Sequence, residues 1–467
     1  MGEVEGRVTN EQDNGTTYEA WKPDAALIEE RELGSDVWFA RRFAQEHGDT
    51  LKFVWSWGKW YAWDASEGRW KQDDAAPWAA AKATVKKLLE EVSEVETDTA
   101  RAMLKAAKRF LNRSAIDSAL KLAQSEERII ARHDQWDADP FLLNVANGTV
   151  DLHDGSLRKH SRGDFCTKMA GAALGSDCPR WRSFLERILP DAAVRDYMQR
   201  AIGYSAIGEV REHVLHVLWG AGANGKSVFV NTIGAALGDY AVSVPPALML
   251  ANGHQEHPTL LAGLHGARFA VASETNEDGR FDCATMKMLT GGDVLSARRM
   301  REDYWQFKPS HTLWLATNHK PRASDTSNGF WRRIRLIPFN VTIPAEEQDH
   351  DLARKLREEL PGVLGWVVEG CLRYMEQGLD PPAEVKAATE GYKREEDVFG
   401  DFLESCRLVA DASAFMPSKV VHDLYTQWAV KAGFKPLGQR ALTRRLKDRG
   451  IQDARNESSR GFRLRQE

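Results

Sequence analysis

Cysteine is scarce and poorly placed for chelation or cross-linking. The five present, Cys166, Cys178, Cys283, Cys371 and Cys406, form no CxxC pair. That excludes a zinc-finger or disulfide framework and leads us to expect reduced thiols in a cytosolic setting. Long apolar runs are missing too: no stretch reaches the ~18 residues that suggest a membrane span. The acidic start, MGEVEGRVTNEQ, lacks the apolar core of a secretory signal. A strong charge of either sign is also absent. A net charge of -5 over 467 residues excludes a wholly basic, histone-like binder, although it leaves room for a local basic face. No internal repeat or low-complexity block is visible. What is present is 42% hydrophobic and 28% charged residues, enough for packed cores, in a length suited to about two to four domains.

Residues 1–35 are rich in acids and poor in apolar periodicity, so a flexible arm is expected there. Val37, Trp38, Ala40 and Phe43 are spaced for a short helix. LKFVWSWGKWYAWD then alternates like a strand, turns at Gly58 and returns. Eight of the sixteen tryptophans precede position 80. Their alternation turns the rings to one face, which favours a Trp-stapled β-core over stacking on nucleic-acid bases. Helical spacing runs from Ala79 to about Arg132. Strand-like PFLLNVANGTVDLHDGSLRKH follows, with turn signals at Asn147-Gly148 and Asp154-Gly155. Residues 181–207 read as helical again.

The strongest motif lies in VLHVLWGAGANGKSVFVNTIGAAL. Val214–Trp219 has the length of a strand. Gly220, Ala221, Gly222, Ala223, Asn224, Gly225, Lys226 and Ser227 complete GxxxxGK[ST], and an amphipathic helix bearing Val228, Val230, Ile233 and Leu237 follows. In such a loop, backbone N–H groups and the helix N-terminus cradle phosphates. Lys226 is expected to reach the β- and γ-phosphates and Ser227 to ligate Mg²⁺. Phe269–Ala272 is a second apolar strand that ends at Glu274, placed to hold the Mg²⁺ shell or polarise water; Glu277 is a weaker assistant. Thr312–Ala316 is a third, and Asn318 at its tip is suited to sensing a γ-phosphate. GFWRRIRLIPF carries Arg332, Arg333 and Arg335 into a strand, and Arg333 or Arg332 is the expected arginine finger. Gly291-Gly292-Asp293 is read as the turn of a basic hairpin with Lys287, Arg298, Arg299 and Arg301, a phosphate-gripping loop.

After Pro381-Pro382 comes a charged helix, AEVKAATEGYKREEDVFGDFLESC, then helix, turn, helix and hairpin. That is the outline of a winged helix. From Gly433 onward there are ten bases and four acids, and Arg444 and Arg445 lie on the second helix. Entry of that helix into a major groove is the favoured reading, and a protein contact the other.

In this order, GAGANGKS, SETNE, KMLTGGDVLSAR, LATNHKP and FWRRIRLIPF resemble the superfamily 3 helicase core. More narrowly they resemble the phage, plasmid and poxvirus primase-helicases. DPFLLNVANGTVDLHDGSL, YMQRAIGYSAIG and LGDYA are similar to that family's pre-helicase region, so the likeness runs over about 36–467. The resemblance implies an α/β fold with an AAA+-like P-loop ATPase core. The expected segments are a mixed α+β region at 36–180, an ATPase domain with a helical collar at 181–380, and a linker helix with a winged helix at 381–467. It implies ATP and Mg²⁺ as cofactors and a homo-oligomeric ring, a hexamer. DNA is the implied partner, single-stranded in the channel and duplex at the winged helix. The role is replication of a phage, plasmid or mobile element in the host cytoplasm. By the same likeness Lys226 and Ser227 belong to Walker A, Glu274 to Walker B and Asn318 to sensor 1. Lys287 to Arg301 span the DNA-gripping motif, and Arg332 or Arg333 takes the finger role. Many relatives carry a primase domain ahead of this region. Here fewer than about 40 residues precede the match and no strand bears paired metal-binding carboxylates, so a helicase without primer synthesis is expected, with a primase or polymerase as a separate chain. The rivals are an AAA+ ATPase switch, a DNA-loading or origin-binding protein and, weakest, a small-molecule kinase.

Overall fold

The computed structural model describes residues 32–94, 97–251, 258–273, 279–298, 303–323, 325, 327–434, 436–456 and 458–467. The chain forms two compact units: residues 1–63 with 71–133, and residues 64–70 with 134–467.

In the first unit, Ser35 caps α1 (Asp36–His47) by accepting from the Trp38 amide. Glu32 pairs with Arg41 at 2.7 Å, so the described end of the expected 1–35 arm is fastened to that helix, while residues 1–31 lie outside the described residues. β1 (Leu51–Val54) and β2 (Lys59–Asp64) pair antiparallel with Leu51 opposite Ala62, and β3 (Arg69–Gln72) completes their sheet. Gly58 makes the connecting turn at a φ of 62°, a region glycine enters without steric cost. Three helices follow: α2 (Ala76–Glu91), α3 (Thr97–Arg109) and α4 (Arg113–Ala123). Phe39, Phe43, Phe53, Trp60, Phe110 and Ile116 are buried together, the aromatic core that the alternation foretold. Trp55 and Trp57 depart from it, 57% and 38% exposed at the hairpin end.

The second unit opens with an antiparallel sheet of β4 (Leu142–Val145), β5 (Gly148–Asp151) and β6 (Leu157–Arg158). Leu143, Val145, Val150 and Leu152 of this sheet share one buried core with α5 (Pro179–Ile188) and α6 (Ala192–Ser205). Packing therefore crosses the boundary expected at residue 180, because the apolar side chains of β4 and β5 are covered by the helices that follow them. The central sheet is parallel, in the order β13–β7–β12–β9–β8. Its strands are β7 (Leu215–Trp219), β8 (Ala241–Ser243), β9 (Phe269–Ser273), β12 (Thr312–Thr317) and β13 (Ile334–Pro338). β12 is buried along its whole length, as a central strand covered on both faces must be. α7 (Lys226–Leu237) follows β7, and α8 (Pro258–Ala262) and α9 (Cys283–Leu289) flank β9 in sequence.

The basic hairpin is displaced from its expected position. Asp282 caps α9 through the Ala284 and Thr285 amides, so Lys287 lies on a helix, and Gly292 turns the chain out of it at a φ of 78°. The hairpin pairs β10 (Leu295–Ala297) with β11 (Trp305–Phe307), and residues 299–302 between them lie outside the described residues. α10 (Asn328–Trp331) leads into β13, and α11 (Leu352–Glu358) and α12 (Leu360–Gln377) pack on the large core.

The charged helix expected after Pro382 is two helices, α13 (Ala383–Glu395) and α14 (Val398–Ser405). Asp397 breaks it by capping α14 through the Gly400 amide. α13 packs on the sheet: the Leu336 amide donates to Thr389 Oγ1 at 3.0 Å, and the buried Tyr392 hydroxyl donates to the Pro321 carbonyl. Beyond it, α14, α15 (Ser418–Lys431) and α16 (Gln439–Asp448) enclose their own core of Phe399, Phe402, Tyr425, Leu442 and Leu446. β14 (Leu408–Ala410) pairs with β18 (Leu464–Gln466), and β17 (Arg460–Phe462) lies between β15 (Met416–Pro417) and β16 (Asp453–Arg455). No described helix is long and apolar enough to cross a membrane.

Candidate functional site

Parallel register gathers the first group of side chains. Thr317 pairs with Trp219, so the next residues, Asn318 and Gly220, leave neighbouring strands at the same edge of the sheet. Gly220–Ser227 then turns into α7. Gly225 has a φ of 81°, and a Cβ there would stand 2.7 Å from Ile188 Cγ2, so the bend needs glycine. Ala223 is also left-handed, at a φ of 57°, a conformation that is strained for alanine. Two contacts hold it: the Ile343 amide donates to the Ala223 carbonyl at 2.8 Å, and Asn224 Nδ2 donates to the carbonyls of Ala221 and Phe339.

Lys226, 6% exposed, is turned back into this loop. Its ammonium donates to the Gly220 carbonyl at 2.7 Å, Asn224 Oδ1 at 2.9 Å and Asn318 Oδ1 at 3.0 Å. A fourth, longer bond reaches the Ala221 carbonyl at 3.5 Å; all four acceptors are neutral, and no carboxylate pairs with the ammonium among the described residues. Burial accordingly pulls its pKa down to about 8. A cation held by dipoles alone suits a polyanionic ligand. The N-terminus of α7 has no side-chain cap, and Ser227 beside it is exposed. Amides and ammonium together suit a phosphate-bearing ligand, and the Ser227 hydroxyl is a group that could hold a metal ion beside it. Glu274, the other expected metal ligand, and Glu277 lie outside the described residues. Among the described residues no cluster of three His, Cys, Asp or Glu forms a metal site of its own.

Two features here escaped the sequence reading. A cleft of about 660 Å³ adjoins the loop, with apolar Phe184, Val228, Ile343 and Leu352 inside and Arg187 and His350 among its polar lining. No short motif marks it, because its walls come from distant segments. Lys320, two residues past Asn318, lies 4.2 Å from the Trp219 ring centroid and pairs with Glu395 at 2.7 Å. It joins the end of β7 to α13.

The arginines lie elsewhere. Ile334 pairs with Leu215, the first residue of β7, so Arg332 and Arg333 sit at the sheet edge opposite Lys226. Five residues of strand separate the two edges, roughly 17 Å at ~3.3 Å per residue. Arg333 is half-buried, donating to Thr290 Oγ1 at 3.1 Å and to the Gly329 carbonyl, and burial with the neighbouring Arg332 charge lowers its pKa. Arg332 is exposed and has no partner among the described residues. Arg335 folds onto the Arg332 and Ile334 carbonyls.

Of the expected DNA-gripping residues, Lys287 is engaged by Asp325 at 2.5 Å, and Arg298 is exposed beside Tyr304, 5.1 Å from its ring centroid. Arg299 and Arg301 lie outside the described residues. Arg444 and Arg445 lie on α16, Arg444 exposed and Arg445 half-buried.

A model described as D5 N terminal like matches residues 40–190, a family of unknown function (DUF5906) matches 218–333, and a model described as Poxvirus D5 protein-like matches 394–459. "Putative helicase L207/L206" of Acanthamoeba polyphaga mimivirus is 27% identical over 293 residues, 57% of this chain and 30% of its own length. "Putative helicase 184R" of Invertebrate iridescent virus 6 is 25% identical over 381 residues, 73% of this chain and 39% of its own. "Putative primase C962R" of African swine fever virus is 23% identical over 251 residues, 50% of this chain and 26% of its own. The chain thus spans between a quarter and two-fifths of the length of these relatives. In fold it is similar to the apo structure of the NrS-1 C terminal region, with a TM-score of 0.52, 10% identity, and coverage of 91% of this chain and 98% of that one.

Proposed function

We propose that the chain is a member of the primase-helicase family and acts as an ATP-dependent DNA helicase that works as a ring in the replication of a virus, phage or mobile element. The observation that carries this reading is the split between the two sheet edges. Lys226 and Asn318 form one half of a phosphate site. Arg332 stands at the opposite edge, exposed and beyond the reach of the same chain's loop. A site that needs both is completed only when one protomer's arginine edge meets another's loop. In this reading Gly220–Gly225 and Lys226 grip the phosphates and Ser227 and Glu274 hold the magnesium shell. Asn318 registers the γ-phosphate, the cleft beside Phe184 and Val228 takes the base, and Arg332 is the finger, with Arg333 anchoring its turn. Mg²⁺–ATP supplies the phosphoryl chemistry when bound. Arg298 beside Tyr304, with Arg299 and Arg301, forms the strand-gripping hairpin, and Lys287 supports it from α9. The basic module around α16 is a winged helix.

The test is complementation. Lys226→Met and Arg332→Ala are each expected to lower DNA-stimulated ATP turnover and forked-duplex unwinding at least a hundredfold. Mixed one to one, they are expected to regain a measurable fraction, since a mixed ring contains interfaces with both residues intact. Mixtures as inactive as either variant alone overturn the shared-site reading. Turnover restored without strand displacement turns the protein into an ATPase switch.

A further inference from the structure

A groove of about 1100 Å³ runs between α16, α13 and the segment that opens α10. One wall carries Arg440, Arg444 and Arg445 on α16. The other carries Lys393 and Arg394 at the end of α13, with Asp325, Ser327 and Asn328 beyond them. The acids in it are largely occupied: Asp325 pairs with Lys287, Asp397 with Arg449, and Glu390 lies 3.8 Å from Lys393. Arg440 and Arg444 are exposed and have no carboxylate partner among the described residues. Small-molecule sites of ~300–1,000 Å³ are mostly apolar. This groove is as large as the largest of them and lined mainly by charge, which suits an extended polyanion.

Its construction is firm. Arg449, which closes α16, pairs with Asp397 and lies 5.5 Å from the Phe399 ring centroid, so the end of α16 is pinned to the start of α14. Leu442 and Leu446 bury the opposite face of α16 in the module's own core. The arginine face of α16 therefore looks across the groove at α13. A helix that reads duplex DNA needs an unobstructed face, because the sugar–phosphate ridges flank it across a ~12 Å major groove. Here that face is opposed by protein. A single strand is thin and flexible enough to thread the same space.

We propose that this groove is a binding track for single-stranded nucleic acid, in which Arg440 and Arg444 of α16 and Arg394 of α13 hold the phosphodiester backbone without reading its sequence. The proposal deepens the helicase reading and rests on it: the track ends at Asn328, on the helix that leads to Arg332. It revises the expectation of a major-groove helix at Arg444 and Arg445.

The experiment uses the full chain without nucleotide. Fluorescence anisotropy follows binding of a labelled oligothymidylate and of a hairpin duplex across a salt series. Arg440→Ala/Arg444→Ala is expected to weaken single-strand binding at least about tenfold and to flatten the slope of log K against log salt by about 1.4, two phosphate contacts at ~0.7 each. Lys431→Ala/Lys447→Ala, which removes equal charge from the module outside the groove, is expected to keep wild-type affinity and slope. A groove variant with unchanged single-strand affinity and slope overturns the proposal, as does a loss confined to the duplex. Equal losses in both double variants also overturn it, since net charge then explains the binding. ATP turnover of the wild-type chain is measured alongside: binding as expected in a protein without turnover sinks the helicase reading and leaves the track standing.

Discussion

Replacing Lys226 by methionine is expected to make the nucleotide-free protein more stable while abolishing its turnover. The ammonium is buried among neutral oxygens, and burial brings its pKa from 10.5 to about 8. About 2.5 units at ~1.36 kcal/mol each sets an upper bound of roughly 3.5 kcal/mol on what the protonated lysine costs the fold at neutral pH. Methionine removes that cost and leaves four carbonyl or amide oxygens without their donor, which offsets part of the gain. A net stabilisation of about 1–2 kcal/mol is expected, a rise of a few degrees in melting temperature. The pH dependence fixes the sign. Below pH 8 the folded chain carries the full cost. Between about 8 and 10.5 the unfolded chain binds more protons than the folded one, so wild-type stability rises relative to the variant. Above about 10.5 both states are neutral and the gap closes. The assay is thermal unfolding of both proteins without nucleotide from pH 7 to 11, beside ATP turnover at pH 7.5. A variant that melts lower than wild type at pH 7, or a gap that does not shrink with pH, refutes the reasoning: the ammonium would then be a net structural stabiliser.

Asn318→Asp places a carboxylate where an amide oxygen now stands 3.0 Å from Lys226 Nζ. It is expected to raise the nucleotide-free melting temperature and to weaken ATP binding at least about tenfold by charge repulsion, read by calorimetry and thermal unfolding. Gly225→Ala meets both a φ of 81° and a Cβ contact at 2.7 Å; a loss of about 1–3 kcal/mol in denaturant unfolding, with turnover lost, is expected. Lys320→Ala removes both the Glu395 pair and the contact with Trp219. It is expected to cost about 1–2 kcal/mol, and a melting temperature equal to wild type would show that this bridge carries no stability.

Local patterns in the chain determined much of this protein. Strand length, a glycine-rich loop and an apolar helix face place Lys226 at a turn between β7 and α7, because backbone permissiveness at Gly225 and period-3.6 burial are properties of neighbouring residues. Alternation likewise foretold the aromatic core around Trp60, and charge composition foretold a basic C-terminal module. The hairpin was misplaced because Gly291-Gly292 serves equally as a turn signal and as the end of a helix capped by Asp282, and only pairing of β10 with β11 decides between them.

Tertiary structure decided everything that depends on two segments meeting. Strand register sets Asn318 beside Lys226 and sends Arg332 to the far edge, though nothing in either segment encodes the strand order. Packing joins β4 and β5 to the large core across an expected boundary, since an apolar strand is indifferent in sequence to which helix covers it. The groove facing α16 exists only because α13 lies across from it. Sequence fixes which side chains a helix presents, and the long-range fold fixes what they confront.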